Sequence, residues 1–166
     1  MNQRYRNILM WALYALLFLA VMLVQTVVFG RVRFFGVKIS LVPMAVACIA
    51  LWTGHEAGGL FGLIAALVWT CSGADDGALS IISFTVIGML AGWICDSLLA
   101  RRLAPAIGLG LGAVLFHELL LFLLKYYLEG AELALVRWVP VTAALSVLAA
   151  PVLYLLAKAI GKVGGN

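Results

Sequence analysis

Six apolar stretches follow one another along the chain and are separated only by short polar turns. They lie at about 8–29, 39–53, 57–71, 79–98, 106–124 and 138–160. A transmembrane helix needs about 20 predominantly apolar residues, within a usual range of roughly 17–25, and all six stretches meet or approach that length. The pattern therefore predicts an all-α integral membrane protein of about six transmembrane helices, packed as a compact bundle that forms a single domain over 1–166.

The second and third stretches are separated only by Gly54, His55 and Glu56, in a run that is otherwise apolar from Leu41 to Cys71. One continuous helix of about 31 residues would be roughly 46 Å long, which exceeds the hydrocarbon core of about 30 Å. We therefore expect two short helices joined by a tight turn, as a helical hairpin.

The composition excludes an ordinary water-soluble domain. Hydrophobic residues make up 66% of the chain and charged residues 11%, against roughly 45–50% and about 25% in soluble domains. The net charge of +4 comes without a basic stripe interleaved with aromatic residues, so we expect no nucleic-acid partner. The basic segment between Arg31 and Lys38 is better explained as a contact with membrane lipid headgroups.

The Lys and Arg residues on the two sides of the predicted membrane are nearly equal in number. An even number of crossings places both termini on one side. Arg4 and Arg6 precede the first stretch. Lys158 lies near the end of the last stretch and Lys162 follows it, so the positive-inside rule favours cytoplasmic termini.

Glycine spacing is the second strong signal. Three pairs stand four residues apart within apolar stretches, namely Gly58 and Gly62, Gly88 and Gly92, and Gly108 and Gly112. Small residues with this spacing share one helix face and let two helix backbones approach closely in lipid. The pairs therefore predict close helix packing, either within the chain or against another subunit.

His117 and Glu118 are ionisable residues in the middle of the fifth stretch. Because a charge at the bilayer centre costs about 2.5–3.5 kcal/mol on insertion scales, both residues are expected to face protein or water. They are either a buried polar anchor or ligand contact, or a neutral Glu118 satisfied by a neighbouring helix. Adjacent residues diverge by about 100° on a helix, so a shared metal ion is not expected.

No nucleophile with a positioned base, phosphate-binding loop or paired carboxylates is apparent in the sequence. Cys48, Cys71 and Cys95 lie in apolar stretches without zinc-site spacing and are expected to act as packing residues. We therefore expect no enzyme, no cofactor and no metal site. Tyr126 and Tyr127 open the longest polar connection, which reads as an interfacial loop that forms either an aromatic belt or a partner surface.

Four segments, taken in order, carry a resemblance to a known family. They are GVKISL at 36–41, LWTGHEAGGLFG at 51–62, SGADDG at 72–77 and VIGMLAG at 86–92. Their order and spacing resemble the family of the rod shape-determining protein MreD over residues of about 20–120. The positions that the resemblance carries over are Glu118 and the glycines Gly54, Gly58, Gly62, Gly77, Gly88 and Gly92.

The resemblance implies a non-enzymatic subunit of the bacterial cell-elongation machinery in the cytoplasmic (inner) membrane. Such a protein pairs with the bitopic protein MreC and connects MreB filaments indirectly with the synthases of peptidoglycan. This chain departs from the family at Ile39 and Ser40, where the family usually has Pro and Asp, and at Thr70, where it usually has Asp. The roles of those carboxylates are therefore not carried over.

The MreD family is itself similar in fold to the S components of energy-coupling-factor vitamin transporters, which supplies the alternative function. An S component binds a small vitamin and couples to an ATPase module through small residues on its first helix. Here Ala12 is followed four residues later by Leu16 and not by a second Ala. This spacing favours the MreD interpretation over the S component.

Overall fold

The structure, a computed structural model, describes residues 3–29, 39–73, 77–97, 103–130 and 133–164, and in these ranges the regular secondary structure is entirely helical. The expected all-α class is therefore confirmed. A π-helical turn, Gln25–Phe29, extends the first helix, and a 3₁₀ turn, Leu133–Arg137, precedes the sixth. The helices are α1 Gln3–Val24, α2 Val42–Thr53, α3 His55–Cys71, α4 Gly77–Ser97, α5 Leu103–Glu129, α6 Trp138–Val147 and α7 Ala150–Gly164.

Three of these helical segments are long and apolar enough to cross a membrane: Gln3–Phe29, Ala78–Ser97 and Leu103–Leu128. The bent pair Leu135–Val147 and Ala150–Gly164 meets the same requirement when it is taken as one span. By contrast, α2 has 12 residues and α3 has 17, so they extend only about 18 and 26 Å against a core of about 30 Å. The chain is thus compatible with a multi-pass membrane protein, and the number of six crossings stays a prediction.

The last apolar stretch, expected as one helix over 138–160, is divided into α6 and α7 with a bend of 50°. Leu148 N–H donates to the Leu145 carbonyl and Ala149 N–H to the Ser146 carbonyl, so the chain tightens before the break. Pro151 lacks an N–H and cannot bond to the carbonyl one turn before it, which explains why the helix does not continue straight. The expectation of a single unbroken helix was wrong.

The expected turn between the second and third stretches lies at Gly54, whose φ is +83°. A Cβ added at Gly58 would lie 2.8 Å from the Cβ of Ala50, so α3 folds back along α2. Positive φ is readily adopted by glycine because it has no Cβ. Gly54 thus permits the reversal that forms the hairpin.

Helix α2 is the centre of the fold. Its residues from Val42 to Trp52 are all buried, and α1, α3, α4, α5 and α7 all contact it. A helix that is hydrophobic on every side is suited either to lipid or to the interior of a protein. Here the surrounding helices enclose it, so one of the two short apolar stretches forms the core of the fold.

The two ends of the described chain lie together. Arg6 Nε–H donates to the carbonyl of Val163 at 3.0 Å, and Gln3 Nε2–H donates to that of Gly164 at 3.5 Å. The last carbonyls of a helix have no partner within the helix itself, so these side chains satisfy the end of α7. Deeper in the fold, the Tyr14 hydroxyl donates to the Ala157 carbonyl at 3.3 Å.

At the other end of α1, Gln25 holds the entry to α2 with both ends of its amide. Its Nε2–H donates to the Ile39 carbonyl at 2.6 Å, and its Oε1 accepts from the Leu41 N–H at 2.9 Å. Between them, the Ser40 N–H donates to Ser146 Oγ of α6 at 2.9 Å. The start of α2 is therefore fixed to both α1 and α6.

Candidate functional site

Helices α3 and α4 are in close contact at the glycines that the sequence analysis identified. A Cβ added at Gly88 would collide with the carbonyl group of Gly58, and one at Gly62 with the carbonyl of Phe84. A Cβ at Gly92 would lie 2.6 Å from the Cα of His55 at the hairpin turn. The two helices thus meet backbone to backbone over two turns.

This contact works because glycine removes the side chains that would hold the helices apart. In lipid, association between helices depends on close van der Waals packing, since the hydrophobic effect contributes little. Individual atom pairs contribute only about 0.1–0.2 kcal/mol, so the contact depends on many pairs at short range. Any side chain added at Gly58 or Gly88 would have to move a backbone, which is the least adaptable neighbour.

The third glycine pair has different surroundings. A Cβ added at Gly108 or Gly112 would meet nothing within 4 Å, whereas one added at Gly110 between them would lie 3.3 Å from the side chain of Met44. Gly108 and Gly112 instead form part of an apolar cleft of about 180 Å³ between α4 and α5. Its lining residues are Ile87, Leu90, Ala91, Ile94, Gly108, Leu109, Gly112, Ala113 and Phe116.

A buried polar contact also joins α4 to α5. Ser83 Oγ on α4 lies 2.8 Å from His117 Nδ1 on α5, and Ser83 Oγ also lies 3.3 Å from the Ser80 carbonyl. A hydroxyl has only one proton. Both bonds therefore form together when the imidazole Nδ1–H donates to Ser83 Oγ and Ser83 donates to the carbonyl. The imidazole ring also lies 5.0 Å from the ring of Phe84.

His117 is 3% exposed and Ser83 is fully buried, so His117 is held inside the protein at a polar partner. The sequence could not identify Ser83 as that partner, because 34 positions separate the two residues. Ser80 is also fully buried, and its Oγ has no hydrogen-bond partner. Glu118, the next residue on α5, is half-buried.

A second polar contact lies at the hairpin turn. His55 Nδ1 at the start of α3 is 3.5 Å from Asp96 Oδ2 near the end of α4, and both side chains are partly exposed. The carboxylate of Asp96 approaches the N-terminal end of α3, where a negative charge is favourable. This contact lies beside the glycine contact of Gly54 and Gly92 and links the same two helices.

Tyr126 and Tyr127, which were expected in an interfacial loop, lie instead in the last turn of α5, because the helix continues to Glu129. The rings of Tyr126 and Tyr127 are 5.4 Å apart, and Tyr127 is 78% exposed. Across the following connection, the Arg137 guanidinium lies 5.2 Å from the ring of Trp138. Exposed aromatic and basic side chains of this kind are typical of a membrane–water interface.

Ser40 and Thr70, two positions where the chain departs from the family pattern, both form hydrogen bonds. Ser40 binds Ser146 through its backbone N–H, and Thr70 Oγ1 donates to the Ala66 carbonyl at 2.9 Å.

Cys48 and Cys95 are buried and Cys71 is exposed. Among the residues that the structure describes, no three His, Cys, Asp or Glu side chains are grouped so as to hold a metal ion.

Gly77 is the first residue of α4. The preceding turn residues Asp75 and Asp76, and the basic segment from Arg31 to Lys38, lie outside the described residues.

Comparison of the chain with known protein families, with curated proteins and with solved structures gives no match.

Proposed function

We propose that the protein is a divergent member of the MreD family, a non-enzymatic membrane subunit of the bacterial cell-elongation machinery. In this role it binds an MreC-like bitopic protein and supports peptidoglycan synthesis. Its place is the cytoplasmic membrane, with both termini in the cytoplasm.

The observation that carries this proposal is the contact between two separate segments of the resemblance. Gly54, Gly58 and Gly62 belong to the segment at 51–62, and Gly88 and Gly92 belong to the segment at 86–92. These two segments pack backbone to backbone in α3 and α4. The motif residues of both segments therefore take part in one helix contact. A chance similarity between apolar sequences would not require the two segments to meet.

Six crossings of the membrane are part of the proposal. Three observations support alternating directions: α3 reverses at Gly54 along α2, Gln25 joins the end of α1 to the start of α2, and Arg6 joins the start of α1 to the end of α7. The short helix α2 would then cross where the protein itself surrounds it, since its residues from Val42 to Trp52 are all buried, whereas α3 would present its exposed face, with Leu60 and Ile64, to lipid.

The absence of catalysis is also proposed from geometry. Ser83 and His117 lie at a distance typical of a nucleophile and its base. However, Ser83 is fully buried and His117 is 3% exposed, so a substrate bond has no path to the hydroxyl. The pair is better suited to joining α4 to α5 inside the membrane.

Co-purification tests the proposal. The tagged chain, expressed with the MreC-like protein of the same organism, is extracted in mild detergent and captured by its tag. We expect the partner to elute with it in a defined ratio, while an unrelated single-span protein at matched expression stays unbound. Recovery of the folded chain alone, under conditions that keep other membrane complexes intact, would contradict the proposal.

A second candidate function is the S component of an energy-coupling-factor transporter. The observation that favours it is the outer face of α1, where Ala12 and Ala15 are both exposed and leave room for another helix. Co-expression with the ATPase module of such a transporter separates the two functions. Capture of that module, lost in Ala15→Leu, would favour the S component, whereas capture of the MreC-like protein alone would reject it.

A further inference from the structure

We propose that the outer face of α3 contacts a locally thinned bilayer and there favours phospholipids with short acyl chains. This outer face consists of the exposed apolar residues Leu60, Leu63, Ile64, Leu67 and Val68. The inference rests on the proposed position of the protein in the membrane and on no part of the proposed role in cell elongation. Two properties of α3 support it: the sizes of the residues on its two sides and the distance between its polar ends.

The residues of α3 are divided by size between its two sides. Five of its six buried residues are small, namely Gly58, Gly59, Gly62, Ala65 and Ala66, whereas the outer face has only Leu, Ile and Val. Cβ atoms added at the three glycines would meet atoms of α2 or α4. Because contacts between membrane helices favour small residues, α3 makes its helix contacts on the inner side. The large branched residues of the outer face are suited to lipid acyl chains.

The N-terminal end of α3 is polar and exposed. The side chains of His55 and Glu56 are 49% and 90% exposed, and the preceding residue, Gly54, has no side chain that could cap the helix. The first N–H groups of a helix have no partner within it, and hydrocarbon offers them no acceptor. The hydrocarbon core must therefore end near Glu56 on this side of the membrane.

The C-terminal end of α3 is exposed as well. Ser72 and Gly73 follow the helix and are both exposed, and Ser72 Oγ donates to the Trp69 carbonyl at 2.6 Å. The last carbonyl groups of a helix have no partner in its own ladder and also need polar surroundings. On this side the hydrocarbon core must therefore end near Ser72.

These two ends are closer together than the two surfaces of an ordinary hydrocarbon core. Glu56 and Ser72 are about 24 Å apart along the helix axis, against a core of about 30 Å, and any tilt shortens the distance across the membrane further. The side chains of Glu and Ser lack the long stems with which Lys and Arg reach the interface from greater depth. A span that is too short is accommodated when the bilayer beside it thins. We therefore expect the lipid next to α3 to be thinner by about 6 Å.

Helix α5 provides the contrast within the same protein. Its exposed apolar side chains include Leu103 near one end and Leu124 near the other, just before the exposed Lys125. The distance from Leu103 to Leu124 is about 32 Å along the helix, which matches the ordinary core. Lipid beside α5 therefore needs no thinning, so a preference for short chains should belong to α3 and not to the whole protein.

Site-specific photo-crosslinking in vesicles tests the inference. The photoreactive residue p-benzoyl-phenylalanine replaces either Ile64, midway between Glu56 and Ser72, or Leu119 on α5, both of which are exposed. Each variant is reconstituted into equal amounts of dimyristoleoyl- and dierucoyl-phosphatidylcholine, which have short and long acyl chains, and the adducts are quantified by mass spectrometry. At position 64 we expect short-chain adducts to exceed long-chain adducts by at least about threefold, and at position 119 a ratio of about one.

Val68→Asn examines whether the polar ends determine this preference. It places a short polar side chain one turn inside Ser72, which reduces the apolar length of the outer face from about 24 to about 18 Å. We expect the ratio at position 64 to rise further. Leu124→Asn, beside Lys125 on α5, is the matched control and should leave the ratio at position 119 unchanged. The comparison of positions 64 and 119 stands without either variant.

Three results would overturn the inference. The first is the same ratio of adducts at positions 64 and 119. The second is cross-linking of position 64 to a protein, either another copy of the chain or a different one, in place of lipid. The third is an unchanged ratio at position 64 in folded Val68→Asn. None of these measurements requires the MreC-like partner, so this inference and the proposed function can fail independently.

Discussion

Gly88→Ala is the substitution that examines the α3–α4 contact most closely, because it adds a single methyl group. The added Cβ would collide with the Gly58 carbonyl group and would lie 3.3 Å from the Gly59 nitrogen. Both neighbours are backbone atoms within a helix, so they cannot rotate away as a side chain would. The two helices must separate, and the close contact along the neighbouring turns is weakened with them.

The expected size of the effect follows from two opposing contributions. Overpacking of a tight interior costs about 1–3 kcal/mol, and the rigid backbone here favours the upper end. Replacing Gly by Ala within a helix returns about 0.8–1.0 kcal/mol. We therefore expect Gly88→Ala to lower the free energy of unfolding by about 2 kcal/mol, which corresponds to a fall in Tm of about 4–8 °C for a protein of this size.

Gly112→Ala is the matched control, because it makes the same chemical change in open space. Only the helix-propensity contribution remains there, so its Tm should be unchanged or higher by about 2–4 °C. Thermal unfolding of both variants, followed by far-UV circular dichroism in one detergent, measures the difference. Equal shifts in Gly88→Ala and Gly112→Ala would refute the reasoning that close backbone packing selects glycine at position 88.

Three further predictions concern buried or terminal hydrogen bonds, each measured by the same unfolding assay. Ser83→Ala should lower the free energy of unfolding by about 1–3 kcal/mol because it removes the buried hydrogen bond between Ser83 and His117. Ser80→Ala should be neutral or stabilising because the Ser80 hydroxyl has no hydrogen-bond partner. A larger loss in Ser80→Ala than in Ser83→Ala would contradict the assignment. Gln25→Leu should cost about 2 kcal/mol or more since two backbone groups lose their bonds, while Thr26→Val, at an exposed neighbour, should cost less than about 0.5 kcal/mol. Arg6→Met should cost no more than about 1 kcal/mol, because its bond to the end of α7 is partly exposed, and a larger loss would assign Arg6 a further role.

The sequence was a good guide where a signal is local. The positions of the apolar stretches predicted where the helices lie, and the glycine between two of these stretches predicted the reversal at Gly54. The break between α6 and α7 also has a local signal in Pro151, since proline removes a helical hydrogen bond. Because residues 138–160 are apolar almost throughout, they were predicted to form a single helix despite Pro151.

The environment of each glycine pair could not be predicted, because spacing shows only that two residues share a helix face. Gly58 and Gly62 face α4, whereas Gly108 and Gly112, with the same spacing, face an open cleft. Which face meets a neighbour depends on the rotation of each helix about its axis. The partner of His117 was hidden for the same reason, since it depends on how α4 and α5 are turned toward each other.

Depletion of the protein in its own bacterium tests the proposed role in cell elongation most directly. Cell shape and the insertion of new peptidoglycan are followed with a fluorescent D-amino acid while expression is stopped. We predict that rods become round and that labelling of the side wall is lost, with recovery when the wild-type chain is restored. Cells that keep their shape and side-wall labelling after the protein is gone would contradict the assignment, and rescue of their growth by an added vitamin would favour the S component instead.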